Sequence, residues 1–333
     1  VATGTRVDFL VTGEVFADLI FAGFSLPKPG AEAFAQAFSF SPGGAMNRAV
    51  AGARLGCRAA VLATIGDDPI GRAVLDIVAA EPNLDLTLLA HRPGWQTPVS
   101  AALTDGADRA FLTYYTPTTA AEIPTELPPI GVLDIGINEP VPSWARDLRA
   151  AGTRLYAGAG WDETGEWRRD KLDRLADVDA FVLNSVEACS FTRTSDPKAA
   201  ARALGVYVPS VVVTCGPDGV VAYDSASDGL VHVAGVTVDA VDPTGAGDTF
   251  VAAFAASVDL DWPMADRLRL ANLAAALSVT GLGGATSAPT TERLVGHLDS
   301  ASASLPDPGD AGWARIHDWL STRSSLLESE VTQ

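Results

Sequence analysis

The 333-residue sequence predicts an α/β domain built on a mainly parallel sheet. Three observations carry that expectation. The apolar run Val7–Thr12 ends at Gly13 and reads as a buried first strand. From Val132 onward, strand-like and helix-like segments alternate, which places crossover helices between parallel strands. Pro217-Asp218-Gly219 then turns one strand directly into the next, so the sheet gains antiparallel members at one edge.

The elements follow in order. Patchy, aromatic-rich strands are expected at 16–20 and 34–40, separated by the Pro27-Lys28-Pro29-Gly30 turn. Pro42-Gly43-Gly44 leads into an Ala-rich helix over 45–55 that stops at Gly56. A strand at 59–65 is broken by Gly66-Asp67-Asp68-Pro69 before a helix over 71–80. Segments 97–104 and 110–115 flank Asp105-Gly106-Ala107-Asp108, a hairpin signal. Strands at 132–137, 154–159 and 180–183 alternate with helices near 144–151 and 167–175. Strands at 210–215, 220–223 and 231–238 complete the sheet. Phe250, Val251, Phe254, Ala255 and Val258 recur at helical spacing, and 267–280 reads as a long helix of small apolar residues. Residues 300–312 are rich in Ser, Pro, Gly and Asp and read as a linker. Trp313, Ile316, Trp319 and Leu320 then fall at helical spacing, before a Ser- and Glu-rich end expected to be unstructured.

Composition narrows the function. The hydrophobic fraction is 47%, ample for a sizeable core, and mean hydropathy is +0.19. A formal net charge of −18 argues against a nucleic-acid or anionic-membrane binder, which needs a basic patch. Cys57, Cys189 and Cys215 are sparse and odd in number, the pattern of reduced thiols rather than of a disulfide framework. His91, His232, His297 and His317 are scattered and suggest no zinc site. No apolar run approaches the ~20 residues of a membrane span. No basic segment followed by an apolar core opens the sequence, so a cytoplasmic location is expected.

The chemistry concentrates in Asp242-Pro243-Thr244-Gly245-Ala246-Gly247-Asp248-Thr249-Phe250. Small residues flank the point where a loop becomes a helix, and unpaired amides at a helix N-terminus suit an anion. Asp248 in the first turn reads as a general base beside an anion hole. The plainer alternative is a tight turn with an Asp that only complements the helix dipole. The string closely resembles the C-terminal signature of the ribokinase-like (PfkB) family of carbohydrate and nucleoside kinases, with Pro243 and Thr244 in its variable places.

Four further segments match that family's pattern in order. Gly13-Glu14 with Asp18 follows the first strand, and the resemblance implies that Asp18 binds acceptor hydroxyls; otherwise it is a solvated strand-end Asp. Gly43-Gly44-Ala45-Met46-Asn47 resembles the N-terminal signature, with Gly43 and Asn47 at the substrate; an Asn there is otherwise a helix cap. Asn184-Ser185-Val186-Glu187 matches an N-x-x-E element that organises Mg²⁺, its waters and the phosphates, Glu187 acting through water; it equally reads as a capping box. Val213-Thr214-Cys215-Gly216-Pro217-Asp218-Gly219 matches a strand end where Thr214 and Gly216 lie along the nucleotide. Asn272 falls where the family places an adenine-side residue. Gly284, with Asp242 and the backbone near Thr244, falls where many members hold K⁺.

The resemblance runs from about residue 7 to about residue 290 and implies a ribokinase-like three-layer α/β/α sandwich with a small β-strand lid. The kinase domain is expected over 1–300, with lid segments at about 14–41 and 96–118, and a linker and helix over 301–333. It further implies ATP and Mg²⁺ as cofactors, a small sugar or nucleoside as substrate, and a homodimer formed through the lid. The implied reaction moves the γ-phosphoryl of ATP to a sugar hydroxyl, with Asp248 as base and Gly245, Ala246 and Gly247 as the anion hole. Two alternatives stand beside it: a nucleoside kinase of the same family, whose lid aromatics stack on a base, and a non-catalytic nucleotide- or sugar-binding homologue. Trp161-Asp162-Glu163 matches poorly the D-x-N-x-R-like segment of many sugar kinases, and the basic residues at 168–171 are expected on an exposed helix face.

Overall fold

The computed structural model describes residues 5–104, 109–116, 123, 126–300 and 305–331. The chain opens with β1 (Val7–Thr12), β2 (Val15–Ala22), β3 (Ala37–Gly44), α1 (Ala45–Arg54), β4 (Ala59–Gly66) and α2 (Pro69–Val78). Short strands β5 (Leu84–Asp85) and β6 (Leu89–Arg92) precede β7 (Val99–Thr104) and β8 (Arg109–Tyr114). Then come β9 (Ile130–Gly136), α3 (Ser143–Ala150), β10 (Arg154–Gly158), β11 (Ala180–Asn184), α4 (Ser185–Thr192), α5 (Pro197–Leu204) and β12 (Ser210–Thr214). The remainder is β13 (Val220–Asp224), β14 (Gly229–Val233), α6 (Ala246–Ala256), α7 (Met264–Ser278), α8 (Gly284–Ser287), α9 (Thr291–Ser300) and α10 (Ala311–Val331).

The main sheet runs β14-β13-β12-β11-β10-β9-β1-β4-β5, with β6 also on β4. Its centre is parallel, and β13 and β14 add antiparallel strands at one edge, as the Pro-Asp-Gly turn predicts. Both faces are buried because side chains alternate along each strand. In β4, Val61, Ala63 and Ile65 join the core under α1, α6, α7, α9 and α10, while Ala60 and Leu62 join the core under α3, α4 and α5. The result is three layers, α/β/α.

A second, smaller sheet has the order β3-β2-β7-β8. It comes from the two segments expected as a lid. Its outer pairs are antiparallel, while β2 and β7 run parallel. The Asp105–Asp108 turn lies outside the described residues. The expected strand at 34–40 begins only at Ala37, with Phe34 exposed in the preceding loop.

Three elements differ from expectation for identifiable reasons. The helix near 167–175 is a run of 3₁₀ turns, Arg169–Asp177, in which Leu172 and Leu175 are buried three residues apart, the spacing of that tighter helix. The strand at 231–238 ends at Val233, where the Asn272 side-chain amide donates to the carbonyls of Val233 and Ala234 and turns the chain away. The Ser- and Glu-rich end is helical through Val331. There, Trp313, Ile316 and Leu320 are buried in the core, and Arg323 stacks on Trp319 and donates to the Leu55 carbonyl. That docking supplies the nucleus from which the helix propagates.

Candidate active site

Four parallel strands end together at the site. Gly136, Gly158, Asn184 and Thr214 are the last residues of β9, β10, β11 and β12, and all four line one cavity of about 380 Å³. Gly245, Gly247 and Asp248 close it from the N-terminus of α6. The carboxyl ends of parallel strands are where open α/β sheets leave a crevice. A second cavity of about 330 Å³ adjoins it and shares Thr214, Pro243 and Gly247. Its wall is largely apolar, with Val236, Val238, Phe250 and Val279, and also carries Gly216, Ala246 and Asn272.

The glycines at the α6 entry have steric reasons. Gly245 caps the helix in the left-handed region at φ 77, and a β-carbon there would stand 2.4 Å from the Gly284 α-carbon. Gly247 has open space on that side, so its backbone faces the cavity. Asp242 ties the two loops together: one carboxylate oxygen accepts the Thr244 N–H at 3.0 Å and the other the Gly283 N–H at 2.9 Å. Thr244 Oγ1 is buried without a hydrogen-bond partner beside them. The structure thus brings together the predicted Asp242, Thr244 and Gly284.

Asp248 meets the N-terminal motif directly. Its Oδ2 accepts from Asn47 Nδ2 at 3.2 Å, so the N-terminal and C-terminal motifs join at one carboxylate. Asp18, on β2 of the lid sheet, is buried against Gly43, where a β-carbon would lie 2.3 Å from Asp18 Oδ2. Gly43 is therefore the space the Asp18 carboxylate occupies. Burial, with the nearby negative charges of Asp248 and Asp242, pushes Asp18 up to about 7. A carboxyl so placed needs donors, and vicinal hydroxyls of a polyol would supply them.

Two residues absent from the sequence reading complete the centre. Arg48 Nη1 donates to Asp248 Oδ1 at 2.8 Å, and Arg48 Nε lies 2.7 Å from Asp134 Oδ2. Burial pushes Asp134 up to about 6, against the pull of Arg48 and with the repulsion of Asp248. A signal for Asp134 was present: it is the single charged residue within the otherwise apolar β9. Arg48 carried no such signal, since a charged residue following Asn47 on a helix is commonly exposed.

Asn184 and Glu187 form a reciprocal capping box on α4, with Asn184 Oδ1 accepting the Glu187 N–H at 2.9 Å and Glu187 Oε2 accepting the Asn184 N–H at 3.0 Å. Both also line the larger cavity, and burial pushes the Glu187 carboxyl up. Capping and cavity wall coexist: the cap fixes the pair that faces the space. Among the described residues, no three His, Cys, Asp or Glu side chains converge as a metal centre. The oxygen donors of Asn184 and Glu187 at the cavity wall are of the hard kind that suits a water-bearing Mg²⁺. Asn272 reaches the smaller cavity, with its amide committed to β14. The basic residues at 168–171 pair elsewhere: Arg168 with Asp170, Arg169 with the Phe191 and Thr192 carbonyls, Lys171 with Asp162. Trp161 stands exposed, edge-on to Trp167.

The profile of the pfkB family carbohydrate kinase matches residues 8–291. A fructokinase from Klebsiella pneumoniae is 32% identical over 281 residues, 76% of this chain and 90% of its own. The ribokinase of Arabidopsis thaliana, complexed with ribose and ATP, superposes with a TM-score of 0.70 at 20% identity over 88% of this chain and 98% of that one. The aminoimidazole riboside kinase of Salmonella enterica, complexed with aminoimidazole riboside and an ATP analog, gives 0.69 at 23% identity over 87% and 98%. The ribokinase-like fold follows from these superpositions. The signature strings, the paired cavities and the match across residues 8–291 agree: the chain belongs to the pfkB family of carbohydrate kinases, phosphotransferases that act on an alcohol group.

Proposed function

We propose that this chain transfers the γ-phosphoryl group of ATP to a hydroxyl of a neutral sugar. What carries the reading is the position of Asp248: in the first turn of α6, at the wall of the phosphate-sized cavity, with Asn47 on one carboxylate oxygen. The smaller, apolar cavity fits an adenine, with Thr214 and Gly216 at the seam between base and phosphates. The amides of Gly245, Ala246 and Gly247 face the transferring group. Asp248 accepts the acceptor hydroxyl proton as the new O–P bond forms and the bond to the leaving ADP oxygen breaks. Mg²⁺, when bound with ATP, neutralises charge between the phosphates, and Glu187 with Asn184 would hold its water shell. The buried, unpartnered Thr244 Oγ1 beside Asp242 and Gly284 fits a monovalent cation in that loop. Most of the rate comes from alignment and fixed charge, which these rigid termini supply.

The electrostatics favour a neutral acceptor over a sugar acid or phosphosugar. Among the described residues that line either cavity, Arg48 is the one cation, and it already faces two carboxylates. Segments 14–41 and 96–118 hold the cations Lys28 and Arg109 against Glu14, Asp18, Glu32, Asp105 and Asp108. A nucleoside is the second reading, favoured by the Phe16–Tyr115 ring pair at 6.0 Å, next to the Tyr115 hydroxyl that donates to Glu14.

ADP release with Mg·ATP, in K⁺ or Na⁺, against neutral sugars, sugar acids, phosphosugars and nucleosides tests the reading. Turnover is expected on a neutral sugar, and Asp248→Asn should lower kcat by about 10³-fold or more with nucleotide binding kept. Near-normal turnover by that variant would remove Asp248 as base. ATP binding without turnover on any acceptor would point to a non-catalytic homologue. Equal rates in K⁺ and Na⁺ would remove the cation role.

A further inference from the structure

Arg48 occupies the middle of the site without a part in the chemistry above. It follows Asn47 on α1, so two successive residues of one buried helix hold the two oxygens of Asp248: Asn47 Nδ2 takes Oδ2 at 3.2 Å and Arg48 Nη1 takes Oδ1 at 2.8 Å. The guanidinium is fixed in turn. Its Nε is 2.7 Å from Asp134 Oδ2 on β9, and its Nη2 reaches the Thr12 carbonyl at the end of β1 at 3.4 Å. Nη2 lies beside Gly13, where a β-carbon would stand at ordinary contact distance, 3.5 Å. Asp134 is buried, so its carboxylate has little reason to stand at that depth other than Arg48.

The surrounding charge explains why a clamp is needed. Asp18 from the lid sheet and Asp134 from β9 both lie near Asp248, and Glu187 stands at the wall of the same cavity. Those carboxylates repel Asp248, while Arg48 attracts it and, with Asn47, holds both of its oxygens. The Arg48 Nη1 and Nη2 donate to a carboxylate and a carbonyl, and its Nε lies in ion-pair contact with Asp134, which separates it from a guanidinium left free to grip phosphate.

We propose that Arg48, anchored by Asp134, is a positioning residue that aims Asp248 Oδ2 at the acceptor hydroxyl. This role rests on the kinase reading. Arg48 exchanges no proton: the hydroxyl proton goes to Asp248, and the guanidinium keeps both carboxylates in place before and after transfer.

The test uses the full chain and the acceptor found in the ADP-release panel. Arg48→Met, Arg48→Lys and Asp134→Asn are compared for kcat, for both KM values, for ADP affinity by calorimetry and for Tm. Arg48→Met should lower kcat about 10²-fold while ADP affinity stays within about twofold, as expected for a group acting through the base. Asp134→Asn should lower kcat in the same direction by about 10-fold, since it loosens the anchor and keeps the guanidinium. Arg48→Lys should recover part of the loss, and guanidinium ion added to Arg48→Ala should recover more. Unchanged kcat in Arg48→Met would leave Arg48 a structural ion pair. A fall in ADP affinity and a rise in ATP KM matching the loss of turnover would instead make it a phosphate ligand. Either result overturns the proposal. If Arg48→Met does not fold, Asp134→Asn and Arg48→Lys decide, because both keep a cation in the site. Asp248→Asn separates the two levels: full turnover removes Asp248 as base and this role with it, wild-type ATP binding without turnover on any acceptor sinks the kinase reading, and an inactive Asp248→Asn beside fully active Arg48 and Asp134 variants sinks the positioning role alone.

Discussion

At the scale of residues, Asp18 and Gly43 show how a site is built against stability. The folded chain holds the Asp18 carboxyl at about 7, above its ordinary 3.8, so the native state binds this proton more tightly than the unfolded chain does. The stability linked to that proton is complete below 3.8 and is lost as pH rises through about 7. Asp18→Asn, nearly equal in shape, should therefore raise stability at pH 8 by on the order of 2 kcal/mol, with the gain fading toward pH 4. The same variant should raise the acceptor KM far more than the ATP KM. Thermal melts at pH 4, 6 and 8 check the first statement; a Tm difference independent of pH would show that the buried charge is not its source. Asp18 was legible as a candidate from its place after the first strand, but its burial and its fit against Gly43 were not, because β2 and β3 had first to pair with Asp18 opposite Ser41.

At the scale of elements, α6 and α10 contrast. The entry to α6 was legible around Gly245–Gly247, with Asp248 in its first turn, because small residues at a loop-to-helix junction and an acidic first turn are local features; the structure adds that Gly245 caps it in the left-handed region. The C-terminal helix was legible only where Trp313, Ile316, Trp319 and Leu320 mark its apolar stripe. Its extent depends on contacts far away in sequence: Trp262 against Trp319, Asp266 with Arg315, Arg269 with Asp310 just before the helix, and Arg323 with Leu55. Ile316 is wholly buried, so Ile316→Ala should cost about 2–4 kcal/mol by chemical denaturation. A change under about 0.5 kcal/mol, the range of surface substitutions, would mean that α10 is not part of the cooperative unit.

At the scale of the whole molecule, the sheet and the lid divide the work. The parallel strands bring Gly136, Gly158, Asn184 and Thr214 to one edge, while the lid sheet brings Asp18 and Gly43 to the other side of Asp248. The lid also exposes Phe38, Tyr114 and Leu112, the last at 72% of its surface, and strand alternation and register place these three on one face. We propose that this face pairs with a second copy of the chain, since apolar side chains so clustered are costly in water. Sedimentation should find a dimer, and Leu112→Asp should shift it toward monomer; a wild-type chain that sediments as a monomer would refute the pairing. No helix among the described residues is long and apolar enough to cross a membrane.

The sequence by itself determined the alternating α/β order, the antiparallel edge and the glycine-rich entry to α6 with Asp248 in its first turn, because turns, caps and strand periodicity are written in neighbouring residues. Only the tertiary structure decided that Asn47 and Arg48 would close on Asp248 from α1, that Asp134 would anchor the guanidinium, and that Asn272 would bend β14 away. Those contacts join residues 200, 86 and 38 or more positions apart or cross between strands and helices, and side-chain chemistry over such separations takes its meaning only from the packing that brings it together.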